Sequence, residues 1–135
     1  MRRSGPSFHL PAFTLLEMSL VICIMLALIG VGMFSSSKIE EWRAGKEATE
    51  VLRGAYVAQR MYLSDHPTTA VSTLTRANLL PYYPNHPSSF PTVKGLDGTA
   101  LDIKVSVSPP VIVNSNGSVY DPSGKADDSL WDVGE

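Results

Sequence analysis

The chain has 135 residues, 44% of them hydrophobic, which is enough for one modest globular domain. Its formal net charge is −2, with 11 basic and 13 acidic side chains, and no basic face stands out, so the composition gives no support to nucleic-acid binding. The single cysteine, Cys23, excludes a disulfide within these residues.

The first predicted element is an apolar helix. Residues 18–34 carry no charge, and Phe13 to Leu16 add a further apolar turn. This length meets the lower limit of about 17 residues for a helix that spans a bilayer. Arg2 and Arg3 are the only charges before it, so the N-terminus is predicted to be cytoplasmic and the C-terminal part exported. A cleaved secretory signal, the alternative, needs a shorter apolar region and a small-residue cleavage site.

One carboxylate, Glu17, lies near the start of the apolar stretch. A charge placed in lipid costs at least a few kcal/mol and usually has a function. Taken without its neighbours, Glu17 could equally be a carboxylate that reaches the headgroups or becomes protonated. The residues around it decide between these interpretations.

The string AFTLLE, residues 12–17, follows a short basic leader and precedes an unbroken apolar run. It resembles the N-terminal signature of type IV pilins and type II secretion pseudopilins. In that family a membrane peptidase removes the leader on the cytoplasmic side and methylates the new N-terminal amine. The resemblance implies a leader of residues 1–12, cleavage between Ala12 and Phe13, and methylation of Phe13, although the family usually has glycine in the place of Ala12.

The resemblance also implies an assembly role for Glu17 and Thr14. In assembled filaments of the family, the carboxylate equivalent to Glu17 faces the N-terminal amine of a neighbouring subunit. Coulomb attraction grows as the dielectric constant falls, and removing one partner leaves a buried charge that costs several kcal/mol. Such a pair can therefore specify the register of one subunit on the next.

The helix is predicted to continue beyond the apolar run. No proline occurs between Pro11 and Pro67, so one helix is expected from Phe13 to about Asp65. Residues 13–34 form its transmembrane and assembly half, and residues 35–66 form an amphipathic half. In the second half, residues at steps of three and four share one face, which we expect to be ordinary core. They are Ala44, Ala48, Val51, Ala55, Ala58 and Tyr62.

Residues 67–135 are predicted to form a small β-rich globular region. A short helix, capped by Thr73 or Thr75, precedes a proline-rich connector. Residues 101–107 alternate between apolar and polar as a half-buried strand, and residues 111–113 resume this pattern after two prolines. The dipeptide Asn116-Gly117 then permits a tight turn.

A sheet of so few strands is marginal alone and needs the amphipathic helix to bury its apolar face. The predicted fold class is therefore α+β and pilin-like, with a long N-terminal helix packed against a small antiparallel β-sheet.

The acidic tail, residues 121–132, places carboxylates beside turn residues, an arrangement that suits an oxygen-ligated cation such as calcium. The tail loosely resembles the end of the major pseudopilin, and this resemblance implies Asn116, Asp127 and Asp128 as calcium ligands. A solvated acidic tail with Trp131 packed inwards explains the same residues. Both interpretations stay open.

The sequence predicts no enzymatic activity. The histidines His9, His66 and His86 are scattered, and none has metal-ligand spacing to a cysteine or another histidine. The sequence has no nucleophile elbow, phosphate-binding loop or zinc-protease motif.

The resemblance implies a single-pass protein of the bacterial inner membrane with a periplasmic C-terminal region. It would be processed by the prepilin peptidase, handled by an inner-membrane assembly platform and built into a filament with other pilin-like subunits. A type II secretion pseudopilin is favoured over a major or minor type IV pilin for adhesion, motility or DNA uptake. The reasons are that the C-terminal region has no cysteine pair and that the apolar run has no proline. A membrane-tethered periplasmic module that never polymerises is the third interpretation.

Overall fold

The computed structural model describes residues 14–126 and 128–134. Within these residues the chain forms two α-helices and three β-strands, joined by turns and two 3-10 segments. In chain order the elements are α1 (Leu15–Asp65), a 3-10 turn (Val71–Thr73), α2 (Arg76–Leu79), a 3-10 turn (Leu80–Tyr82), β1 (Val93–Lys94), β2 (Ala100–Lys104) and β3 (Val111–Val113).

The chain divides into two compact units, Met1–Ser37 and Lys38–Glu135. The described residues of the first unit are all exposed. The buried residues of the described chain lie between Gly45 and Val133, so the second unit has its own hydrophobic core. A unit with its own core can in principle fold alone.

α1 ends where the sequence predicts. Pro67 has no N–H to continue the helix and pushes the preceding residue towards extended backbone. The helix therefore stops at Asp65, and His66 makes a last helical bond when its N–H donates to the Tyr62 carbonyl oxygen at 2.9 Å. The predicted start at Phe13 lies outside the described residues.

The predicted apolar stripe of α1 is the face that enters the core. Its alanines at 48, 55 and 58 are buried, and its other members are half-buried. Leu52 and Gln59, which the stripe did not include, are fully buried beside them. The Gln59 amide nitrogen donates to the carbonyl oxygens of Val105 and Val107 at 2.9 and 2.8 Å. This amide therefore joins α1 to the chain that leaves β2.

The three strands form an antiparallel sheet in the order β1-β2-β3. Leu101 lies opposite Val93, and Ile103 lies opposite Ile112. The alternation predicted for residues 101–107 is confirmed up to Val105, because the odd-numbered residues 101–105 are buried and the even-numbered residues between them are exposed. The long helix and small antiparallel sheet confirm the predicted α+β class and are consistent with a pilin-like fold.

Two local sequence signals, a helix cap and a glycine turn, can be compared with the structure. Thr75, rather than Thr73, caps α2, because its hydroxyl accepts from the Asn78 N–H and the Asn78 side chain accepts from the Thr75 N–H. Gly117 has a φ of 83° in the turn after β3, which explains why glycine occupies that position. After this turn Val119 forms an antiparallel bridge with Val113, so the chain reverses direction at the predicted tight turn.

The C-terminal segment lies along α1. The Thr49 hydroxyl and the Lys46 ammonium both donate to the Ser129 carbonyl oxygen, at 2.9 and 3.1 Å. The Arg53 guanidinium donates to the Val133 carbonyl oxygen at 2.9 Å. Trp131 is buried, as expected from the inward-packed interpretation of the tail.

Gly54 marks a close approach between α1 and Tyr83. A β-carbon at position 54 would lie 2.5 Å from the Tyr83 hydroxyl oxygen, which donates to the Val51 carbonyl oxygen at 2.8 Å. The ring is buried, and this burial raises the pKa of Tyr83. The phenol therefore cannot move without losing its hydrogen bond or its packing.

We expect Gly54→Ala to destabilise the Lys38–Glu135 unit in thermal unfolding, although alanine is worth up to about 1 kcal/mol more than glycine within a helix. Overpacking of this kind costs about 1–3 kcal/mol. The matched control is the same substitution in a Tyr83→Phe background, where loss of the oxygen should reduce the penalty. A higher melting temperature for the single variant would show that the contact is not restrictive.

Candidate functional site

The first candidate site is the start of α1, where Thr14 caps the helix. Its hydroxyl accepts from the Glu17 N–H at 3.2 Å, and its carbonyl oxygen accepts from the N–H groups of Glu17 and Met18 at 3.1 Å each. Threonine three residues before glutamate is the spacing of a capping box. The two residues predicted for assembly, Thr14 and Glu17, therefore lie together in the first turn.

The surroundings of Glu17 are apolar and exposed. Leu16 and Leu20 are 76% and 56% exposed, and the apolar side chains that follow along α1 are exposed as well. Near the N-terminus, α1 is long and apolar enough to cross a membrane, and none of that stretch is buried inside the chain. A soluble core helix would show the opposite pattern of burial.

The charge of Glu17 needs a partner when this stretch is in an apolar medium. The dipole of α1 favours an anion in the first turn, but typically by only about 0.3–1 kcal/mol. Removing an ion from water costs several kcal/mol even after relaxation. The next basic side chain on α1 is Lys38, beyond the apolar run. The described part of α1 therefore supplies no nearby countercharge.

Three of the predicted site residues lie outside the described residues. They are Ala12 and Phe13, predicted for cleavage and methylation, and Asp127, predicted as a calcium ligand. Those assignments stay predictions.

The second candidate site is the loop of residues 121–130. Four oxygen atoms surround the Ser123 hydroxyl: Asp121 Oδ1 at 2.7 Å, the Lys125 carbonyl at 3.2 Å, Asp128 Oδ1 at 3.3 Å and the Leu130 carbonyl at 3.5 Å. A hydroxyl has one hydrogen to donate, so it can satisfy one of these acceptors at a time. Backbone N–H groups also donate to both carboxylates, those of Ser123 and Gly124 to Asp121 Oδ1 and that of Leu130 to Asp128 Oδ1. Converging carboxylate and carbonyl oxygens are the ligands that calcium prefers.

The two described residues among the predicted calcium ligands, Asn116 and Asp128, have different hydrogen-bond partners. Asn116 lies in the turn after β3, where its Oδ1 accepts from the Ser118 N–H and hydroxyl at 3.0 and 2.6 Å. Asp128 instead joins the Ser123 hydroxyl, and among the described residues it shares no hydrogen-bond partner with Asn116. Asp121 is the second carboxylate that lies beside the Ser123 hydroxyl. The sequence analysis did not single it out, although an aspartate directly before Pro-Ser-Gly is a turn signal that could have indicated it.

An open groove of about 570 Å³ lies along β2 and the turn after β3. In it the Arg76 guanidinium donates to Asp102 at 2.6 Å, and this bond lowers the pKa of Asp102. Bonds from the hydroxyl and N–H of Thr99 likewise lower the pKa of Asp97. Within the described ranges, no group of three or more His, Cys, Asp or Glu side chains could hold a metal ion. The groove has a mixed polar and apolar lining with an exposed ion pair, a feature of small energetic weight.

Comparison of the chain with family models, with curated proteins and with solved structures gave no match. The features that bear on function are therefore the fold, the position of Glu17 in an exposed apolar helix, and the oxygen-lined loop.

Proposed function

We propose that the chain is a pilin-like structural subunit, processed by a prepilin peptidase and assembled into a type II secretion pseudopilus or a related filament. The observation that supports this most strongly is Glu17, an acidic side chain in the first turn of an exposed apolar helix. Among the described residues of α1, the next basic side chain is Lys38. The α+β unit that follows is consistent with a pilin-like subunit.

Cleavage after Ala12 would supply the missing countercharge. Phe13 would become the first residue, and its ammonium group would lie directly before Thr14, the cap of α1. In a bundle of such helices, the ammonium of one copy can face Glu17 of the next. The attraction is strong because the medium is apolar, and the cost of removing either partner makes the pairing specific.

Assembly also covers apolar surface. The exposed side chains of α1 between Leu15 and Phe34 form a far larger apolar surface than an isolated water-soluble chain normally carries. Lipid covers this surface in the membrane form, and the α1 helices of neighbouring copies cover it in a filament.

The experiment that tests this function is the size of native assemblies that contain the chain after gentle membrane solubilisation. We expect the chain in high-molecular-mass assemblies with other copies or pilin-like subunits. A type IV pilus subunit would be found in filaments that shear from the cell surface. Monomers alone would favour the tethered module and contradict the proposal.

We further propose that the loop of residues 121–130 binds calcium. Asp121 and Asp128 would supply carboxylate oxygens, and Lys125 and Leu130 would supply carbonyl oxygens, because these atoms already converge on Ser123. The ion would neutralise the two carboxylates and fix the loop just before the segment that lies along α1.

Calorimetric titration of the Lys38–Glu135 unit with calcium tests the loop. We expect a dissociation constant on the order of 10⁻⁴–10⁻³ M, the range of extracellular modules. Asp121→Asn should abolish the heat, and Asn116→Ala should leave it unchanged if the ligands are those of the loop. Asp97→Asn, a carboxylate change in another turn, is the control. A flat trace at millimolar calcium would end the proposal.

A further inference from the structure

A separate apolar surface lies within the Lys38–Glu135 unit. We call it the Trp42 surface and define it by Trp42, Leu96, Pro122 and Leu130, which line a cavity of about 220 Å³. Trp42 is 54% exposed and Leu96 is 46% exposed, whereas Trp131 in the same lining is 5% exposed. The outer part of this surface has no cover from the described part of the chain.

Trp42 is a residue type that favours the interface between water and hydrocarbon. A buried tryptophan removes about 150–250 Å² from water, so leaving half of the ring exposed forgoes much of that gain. The indole ring also carries a polar N–H at its edge. For these reasons tryptophan is enriched where a bilayer meets water.

The position of Trp42 in the sequence places it near such an interface. The uncharged run ends at Ser37, Lys38 is the first charge after it, and Trp42 follows within the next few residues. The polar zone on each side of the hydrocarbon core is about 5–7 Å thick. Tryptophan and lysine just beyond an apolar run are the usual anchors of a helix at this level.

The charges beside Trp42 indicate which kind of lipid surface the Trp42 surface would bind. Lys38 pairs with Glu41 at 2.8 Å, so the rim of the Trp42 surface is close to neutral. A neutral surface gains binding free energy by burying apolar side chains rather than by attraction to anionic lipids.

We propose that the Trp42 surface docks onto the headgroup region of a zwitterionic bilayer while the chain is in its membrane form, with Trp42 and Leu96 inserted among the headgroups. The inference rests on the membrane form in the proposed function but does not require polymerisation. Docking holds the Lys38–Glu135 unit on the membrane before assembly, and extraction into a filament exposes the Trp42 surface again.

Tryptophan fluorescence of the full chain in phosphatidylcholine vesicles tests the docking. The chain has two tryptophans, so Trp131→Phe leaves Trp42 as the only indole. Lipids brominated near the headgroup end of the acyl chains should quench most of its emission, and aqueous acrylamide should quench little. Leu96→Asp should reverse both effects.

Two internal controls make the result specific. Cys23 lies in the apolar run, so its protection from a membrane-impermeant maleimide reports insertion. Val119, which is 62% exposed, gives a matched probe when it becomes the only tryptophan through Val119→Trp with both natural tryptophans changed to phenylalanine. This probe should respond to acrylamide and not to brominated lipid.

The outcomes separate the proposals. Access of acrylamide to Trp42 with Cys23 protected overturns the docking alone. Protection of Trp42 from both quenchers assigns the surface to a second protein copy and overturns it as well. Equal lipid quenching at position 119 would show non-specific adsorption and overturn it. A reactive Cys23 would contradict the membrane form and the docking together.

Discussion

Glu17→Ala is expected to abolish incorporation of the chain into filaments while leaving membrane insertion and removal of residues 1–12 intact. Insertion depends on the apolar run, which the change makes more apolar. In the proposed assembly, incorporation depends on the charge pair, and the variant would leave the Phe13 ammonium of the neighbouring copy buried without a partner. Breaking a buried pair costs about 3–5 kcal/mol, which lowers the association constant by about 10²-fold to 10⁴-fold.

Crosslinking of the chain in native membranes measures incorporation, and gel mobility reports leader removal. Glu17→Gln separates charge from hydrogen bonding and should fail as Glu17→Ala does. Ser19→Ala is the matched control, since among the described residues it removes a hydroxyl that donates to the Leu16 carbonyl oxygen in the same turn. Normal crosslinking of Glu17→Ala would remove the main support for the proposed function.

Leu52→Ala is expected to be the most destabilising of the substitutions considered for the Lys38–Glu135 unit. Leu52 is fully buried on the face of α1 that packs against the sheet. Truncation of a buried leucine costs about 2–5 kcal/mol through lost burial and a residual cavity. Domains of this kind are stable by only about 5–15 kcal/mol, so the loss is a large fraction of the total.

Thermal unfolding of the unit should show a fall in melting temperature of at least about 10 °C. The control is Val57→Ala, an aliphatic truncation on the same helix at a position that is 45% exposed. Its effect should stay within about 0.5 kcal/mol, as for other surface changes. Equal effects of the two variants would mean that the core of the unit has been assigned to the wrong face of α1.

The parts of the fold that the sequence predicted are those set by local chemistry. The end of α1 follows from Pro67, and the buried faces of α1 and β2 follow from periods of about 3.6 and 2. β1 was missed, because a strand of two residues has no period to detect. Gln59 was missed because its burial depends on two carbonyl groups that lie 46 and 48 residues further along the chain, so no local pattern indicates them.

The candidate sites also differ in how much of them the sequence alone could predict. Thr14 and Glu17 belong to one short motif, so the sequence alone placed them in the same helical turn. The proposed calcium ligands depend on how a loop closes, which the sequence motif did not indicate for Asp121. Asp121 reaches the same hydroxyl as Asp128 because the turn at residues 121–124 folds back on the following chain.

The most direct test of the account is the intact mass and N-terminal sequence of the native chain recovered from high-molecular-mass assemblies. The proposed subunit should begin at Phe13 and carry a methyl group on its terminal amine. That ammonium group is the proposed countercharge of Glu17, so a chain without it would leave the carboxylate unexplained. A chain that keeps residues 1–12 would contradict the account.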